Sequence, residues 1–280
     1  MNTSPENPEP LRENEAPLAP PLVVTPSDIA NVSSPAPDPV WDGWDVFVLV
    51  ILTFAAMFVS LLAALGIARH WIYPRLPVAE IAKMPLLVVG SQAFAYVLVL
   101  GYMVAMVKVQ KRQPNFLTAI HWNWPRTAVL YLFAGFVLSL GLQMFAHVLP
   151  IPKNLPIDTF FSTPAEAWVL TIFGISLAPL MEELFFRGFL FPVLRRAAGN
   201  IAAIVLTAIA FALLHGGQLK FSWAPVLIIF LVGLVLTIVR AKTNSVSAGL
   251  LMHMAYNGTI SILLLVATGG FRHLERLGNQ

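Results

Sequence analysis

The chain contains no cysteine in its 280 residues. That excludes a thiol nucleophile, a disulfide framework and a thiolate metal site. Charge is scarce too: Asp, Glu, Lys and Arg make up 11% of the residues, against about 25% in an ordinary soluble domain. No Gly-x-Ser-x-Gly elbow, Walker-type glycine loop or His-Glu-x-x-His helix occurs, so the serine-hydrolase, P-loop and common zinc-protease readings lose their signatures. What is abundant is hydrocarbon. Hydrophobic residues are 58% of the chain and the mean hydropathy is +0.76.

That composition predicts an all-α, polytopic membrane helical bundle, integral to the membrane and multi-pass. About seven apolar runs approach the roughly 20 residues needed to cross the hydrocarbon core as a helix. They cover residues 45–68, 86–107, 127–149, 167–190, 201–214, 225–239 and 247–267, the fifth and sixth being short. Trp44, Trp71, Trp122, Trp124, Trp168 and Trp223 fall near their ends, as an interfacial aromatic belt requires. Lys and Arg divide eight against seven between the two sides, and the short basic loop 108–126 tilts the orientation toward a cytoplasmic N-terminus.

Residues 1–43 are a different material. They hold ten of the 22 prolines, seven acidic residues and one basic residue, a composition that predicts a disordered tail. No basic start followed by a hydrophobic region and small residues precedes the first span, which is read as an uncleaved anchor. The tail carries −6, leaving +9 on residues 44–280. Such a basic balance is normal for membrane loops and gives no warrant for nucleic acid as a partner. The expected division is a tail 1–43, accessory transmembrane helices 44–150, a catalytic transmembrane core 151–268 and a short polar C-terminal tail 269–280. In the 150–166 connection, prolines, Lys153 and Asp158 suggest a re-entrant or surface loop over a cavity.

Ionisable groups inside the spans are costly, so each asks for a reason. Glu183 and Arg187 are four apart and can pair on one helix face. Glu182 lies about 100° round the helix, with no cation at helical spacing, and needs a separate partner or a proton. His215 ends the fifth run, and His253 and Asn257 are stacked four apart in the last. Ser247, Ala248 and Gly249 allow a neighbouring helix to approach. These groups satisfy one another only by converging on one polar cavity, because lipid offers no partners. Pro179 and Pro192 bracket the acidic pair, where a freed carbonyl or a kink would open a pocket. His70, His121, His147 and His273 have no companions at ligand spacing and are read as interfacial or solvated.

The set Glu-Glu-x-x-x-Arg, Phe-x-x-x-His and His-x-x-x-Asn, on successive apolar segments, resembles the CAAX-protease and bacteriocin-processing (CPBP, or Abi) family of intramembrane proteases. The stretch Arg187-Gly188-Phe189-Leu190-Phe191-Pro192-Val193-Leu194-Arg195-Arg196 is similar to the segment that commonly comes after that family's first motif. The resemblance covers residues 167–267. It implies that Glu182, with His215, takes a proton from a water, that His253 and Asn257 hold the oxyanion or place that water, and that Glu183 and Arg187 support the first motif. It implies a peptide or prenylated-protein substrate met at the membrane lipid. Glu182, His215 and His253 are also a nitrogen and oxygen donor set for a divalent metal such as zinc, and the residues leave open whether one is used. The rivals are a proton-coupled transporter, which predicts related halves, and a scaffold whose acidic tail recruits partners. No internal repeat is visible.

Overall fold

The structure, a computed structural model, describes Met1 and residues 38–152 and 155–277. Residues 2–37, the bulk of the expected tail, lie outside the described residues, as does Lys153.

Asp42 starts the first helix, α1 (Gly43–Ile67), by accepting from the backbone N–H groups of Trp44 and Asp45, while the Asp45 carboxylate accepts from Asp42 N–H. This reciprocal cap satisfies donors that the helix itself cannot. α1 runs on through a π-helical turn, Ala68–Ile72. Then come α2 (Pro85–Ala105), with its own π turn Met106–Gln110, and α3 (Ala128–Ala146). α4 (Pro164–Ile175) begins at a Thr163 cap and stops at Ser176, whose φ of −123° and ψ of −83° leave the helical region. α5 (Leu177–Glu183) passes through a π-helical segment, Leu184–Leu190, into α6 (Phe191–His215). α7 (Trp223–Thr243) and α8 (Val246–Ala267) complete the bundle. Every element among the described residues is helical.

Six helical runs are long and apolar enough to cross a membrane, so the chain is an integral, multi-pass membrane protein. One of them, Pro164–Leu219, has 56 residues and would extend about 84 Å if straight, nearly three times the hydrocarbon thickness. It doubles back. Gly199, at φ +80° and ψ 173°, breaks α6, and Phe186 and Phe211 meet with ring centroids 5.2 Å apart. The expected spans 167–190 and 201–214 are therefore the two limbs of this run.

Outward faces are hydrocarbon. Phe47, Phe54 and Phe58 of α1 and Val129, Phe133 and Phe136 of α3 are exposed, the arrangement lipid favours. Two cores lie inside. Leu49, Met103, Met106, Ile120 and Phe189 join α1 and α2 to the π segment, and Phe211, Val232, Leu236, Met252 and Tyr256 join α6, α7 and α8. α3 leans on α8 through Gly135, where any Cβ would land on the Met252 carbonyl oxygen. The junction at residues 38–42 is docked: Trp41 is buried and donates to the Phe189 carbonyl at 3.1 Å, while Arg196 donates to the Pro39 and Trp41 carbonyls at 2.6 and 2.9 Å.

Candidate active site

The two neighbouring glutamates meet opposite environments because the helix turns about 100° between them. Glu183 is sealed. Its Oε1 accepts from Arg187 Nη1 at 2.8 Å and from His253 Nδ1 at 3.0 Å, and its side chain has no exposure. Glu183 Oε2 has no hydrogen-bond partner; it occupies the space left by the missing side chain of Gly249, where a Cβ would stand 2.7 Å from it. Arg187 also donates from Nη2 to the Gly233 carbonyl at 3.0 Å and lies over the Phe211 ring at 4.8 Å. Pairing and hydrogen bonding together offset the cost of burying these charges.

Glu182 faces open space. Its side chain is 15% exposed, with Oε1 3.8 Å from His215 Nε2 and Oε2 3.7 Å from His253 Nε2. Both separations exceed a hydrogen bond and suit a bridging water. The network assigns the tautomers. His215 Nδ1–H donates to the Phe211 carbonyl at 2.8 Å, and His253 Nδ1–H donates to Glu183. With Nδ1–H committed in each ring, Nε2 is the nitrogen turned toward Glu182. Each oxygen of the Glu182 carboxylate thus has an imidazole nitrogen within 4 Å.

Asn257 joins the same cavity wall, and its Nδ2 donates to the Gly174 carbonyl at 2.7 Å. One amide hydrogen is thereby committed to α4 and one is left over. Of the six residues singled out in the sequence, Glu182, Glu183, Arg187, His215 and His253 form one connected group, and Asn257 stands at its edge.

Glu182 lines two cavities. One, about 420 Å³, also takes in His215, His253, Asn257, Gln92 and Gln218. Phe160 and Phe161 line it from the connection after α3, so that connection does reach the cavity. The other, about 330 Å³, is walled by Val50, Met57, Val99, Met103, Met181 and Phe185. Tyr96 stands between them, lining the apolar cavity, stacked on Phe173 of the polar one at 5.9 Å and accepting from Gln92 Nε2 at 2.9 Å.

The donor set for a metal has the right chemistry: one carboxylate and two Nε2 lone pairs, each imidazole held by its other nitrogen, as metal-bound histidines are. Among the described residues, however, no group of three or more His, Asp or Glu is gathered closely enough to hold an ion as it stands. The trio fits a metal in donor type without forming an assembled cage.

Residues 164–259 match the family model of the Rce1-like type II CAAX prenyl endopeptidases. Over this segment the chain is similar to that family. The segment contains all six motif residues, from α4 to the middle of α8, and agrees with the family that the motifs resemble. α1, α2 and α3 lie outside the match. No curated protein and no solved structure matches the chain.

Sequence reading gives some residues of this matched segment and its surroundings a different role from the one they have. Gly249, read as room for a neighbouring helix, makes room for the Glu183 side chain. Arg240, which counts among the loop charges by position alone, is a fully buried cation. His121, read as solvated, is bonded on both ring nitrogens, to Asp38 and to Asn244. A buried Arg late in an apolar span is the available signal for Arg240. Nothing local marks the others.

Proposed function

We propose that the protein is an intramembrane endopeptidase that hydrolyses a peptide bond beside a membrane-anchored, lipid-modified residue. The observation that carries this reading is that His215 Nε2 and His253 Nε2 each lie within 4 Å of the Glu182 carboxylate, which lines both a polar and an apolar cavity. A water at that carboxylate loses its proton to Glu182, with His215 Nε2 as the second acceptor, and its oxygen attacks the carbonyl carbon. Oxyanion charge then draws on the uncommitted Asn257 amide hydrogen, while His253, its Nδ1–H held by Glu183, helps to place the water through its Nε2 lone pair. Glu182 returns the proton to the leaving amine. Acid-base transfer of this kind is worth roughly 10²–10⁴-fold and an oxyanion donor about 10²–10³-fold.

If a divalent metal is used, Glu182, His215 and His253 would hold it, and it would supply Lewis acidity and a more acidic water. The apolar cavity suits a hydrocarbon chain and the polar one a released peptide. A transporter is not favoured, because the buried polar groups gather at one site and no repeat relates two halves.

The test is cleavage of prenylated and unmodified Cys-a-a-X peptides by purified protein in detergent, with and without chelator. Wild type should cut, with a preference for the prenylated form, and Glu182→Ala should not. Undiminished cutting by Glu182→Ala would overturn the mechanism.

A further inference from the structure

We infer that Arg240 is a positioning residue for this site, acting through the backbone of Arg187. Arg240 is fully buried near the end of α7, and among the described residues no ion pair holds it. A guanidinium in that setting is expensive, so the bonds it does make are informative. Nε donates to the Arg187 carbonyl at 3.1 Å, Nη1 donates to Asn244 Oδ1 at 2.5 Å, and Nη2 has no partner.

The Arg187 carbonyl needs that donor. In the π-helical segment Leu184–Leu190, hydrogen bonds run from residue i+5 to residue i, and Phe191 N–H is drawn to the Phe186 carbonyl. Register then assigns the Arg187 carbonyl to residue 192, which is a proline and has no N–H. Arg240 Nε takes the place of the missing donor. It fixes the backbone from which the Arg187 side chain reaches Glu183, and Glu183 in turn holds His253 Nδ1. The path from Arg240 to the Nε2 that faces Glu182 is continuous.

Arg240 is itself aimed from outside the bundle core. Asn244, in the left-handed region at φ +51°, ends α7 and donates from Nδ2 to His121 Nδ1 at 3.1 Å. That leaves Asn244 Oδ1 toward Arg240. The loop carrying His121 is tied down by the Val246 N–H to His121 carbonyl bond at 3.1 Å and by Ser247 Oγ donating to the Asn123 carbonyl at 2.5 Å. The loop before α3 thus helps to orient a residue two steps from the site.

The kinetic part of the test rests on the proteolytic reading; the chemical part does not. Arg240→Gln should lower kcat about tenfold or more with KM held within about twofold, because the substrate cavities keep their walls. Arg240→Lys, which keeps a donor for the Arg187 carbonyl, should recover most of kcat. Asn244→Ala should lower kcat by a smaller factor and add little in the Arg240→Gln background. Independently of activity, carbethoxylation of His253, followed by mass spectrometry at one pH, should be faster in Arg240→Gln and Asn244→Ala, with His215 unchanged as the internal control. If wild type cuts no peptide but His253 is released in this way, the protease reading fails and the positioning role stands. If the folded Arg240→Gln protein keeps wild-type kcat and His253 reactivity, the positioning role is overturned. Should Arg240→Gln not fold, unchanged kcat and His253 reactivity in Asn244→Ala would overturn it equally.

Discussion

The two cavities that meet at Glu182 are of similar size and opposite character. The larger one is lined by imidazole, carboxamide and carboxylate groups from α5, α6 and α8; the smaller is hydrocarbon from α1, α2 and the π segment. Three of the polar groups in the first have a partner across a helix boundary or within their own turn: Asn257 on Gly174, His215 on Phe211, His253 on Glu183. The second is almost wholly apolar and needs few partners, and half of its lining residues come from α1 and α2, outside the family match.

The sharpest way to break the comparison is Glu182→Gln, which removes the carboxylate shared by both cavities. Turnover should fall roughly 10²–10⁴-fold with the fold intact, measured as the initial rate of peptide cleavage. His215→Ala should come next, with a loss of about 10²–10³-fold.

Gly249→Ala presses on the polar side alone. The new Cβ would stand 2.7 Å from Glu183 Oε2, and Glu183 cannot yield without leaving Arg187 or His253. A loss of about 1–3 kcal/mol is expected, read as a lower thermal midpoint in detergent, whereas Gly258→Ala in the same helix meets nothing within 4 Å and should be neutral. A Gly249→Ala protein as stable as the Gly258→Ala one would contradict the geometry.

Met57→Trp fills the apolar side. It should raise KM for a substrate with a large apolar group by several-fold while sparing kcat, and leave small unmodified peptides untouched; equal effects on both would show that the two cavities do not divide the labour.

The smallest effect belongs outside the site. The Asp42 carboxyl is held below its ordinary value, first by the Asp45 N–H and also by that of Trp44 and the charge of Lys111. A lowered carboxyl pKa stabilises the folded state above the unfolded value of about 3.9, and this is lost as pH falls through the lowered one. Asp42→Asn should therefore unfold at a slightly lower temperature than wild type at neutral pH, and the gap should close in acid.

Much of the site is legible without any knowledge of the fold, since a carboxylate or imidazole in an apolar run stands out against its neighbours. Glu182, Glu183, Arg187, His215, His253 and Asn257 are conspicuous for that reason. The partner of His253 is not legible. It is Glu183, 70 residues away, and the spacing within either motif points elsewhere: Glu183 to Arg187, His253 to Asn257. The turn at Gly199 is legible as the gap between the expected spans 167–190 and 201–214, where Arg195, Arg196 and Asn200 interrupt the apolar sequence. Trp41 has the look of a proline-rich tail residue, yet it is seated against Phe189 with ring centroids 4.7 Å apart.

By itself the sequence determined that this chain lives in lipid and which few side chains had to find one another there. Hydropathy and the cost of a charge in hydrocarbon depend on what a segment is made of, wherever it sits. Only the tertiary structure decided that Glu183 is enclosed and Glu182 open, that both histidines turn Nε2 to the Glu182 carboxylate, and that Arg240 supplies the donor Pro192 lacks. Those outcomes depend on which helices face each other, and a hydrogen bond across the bundle leaves no trace in local order.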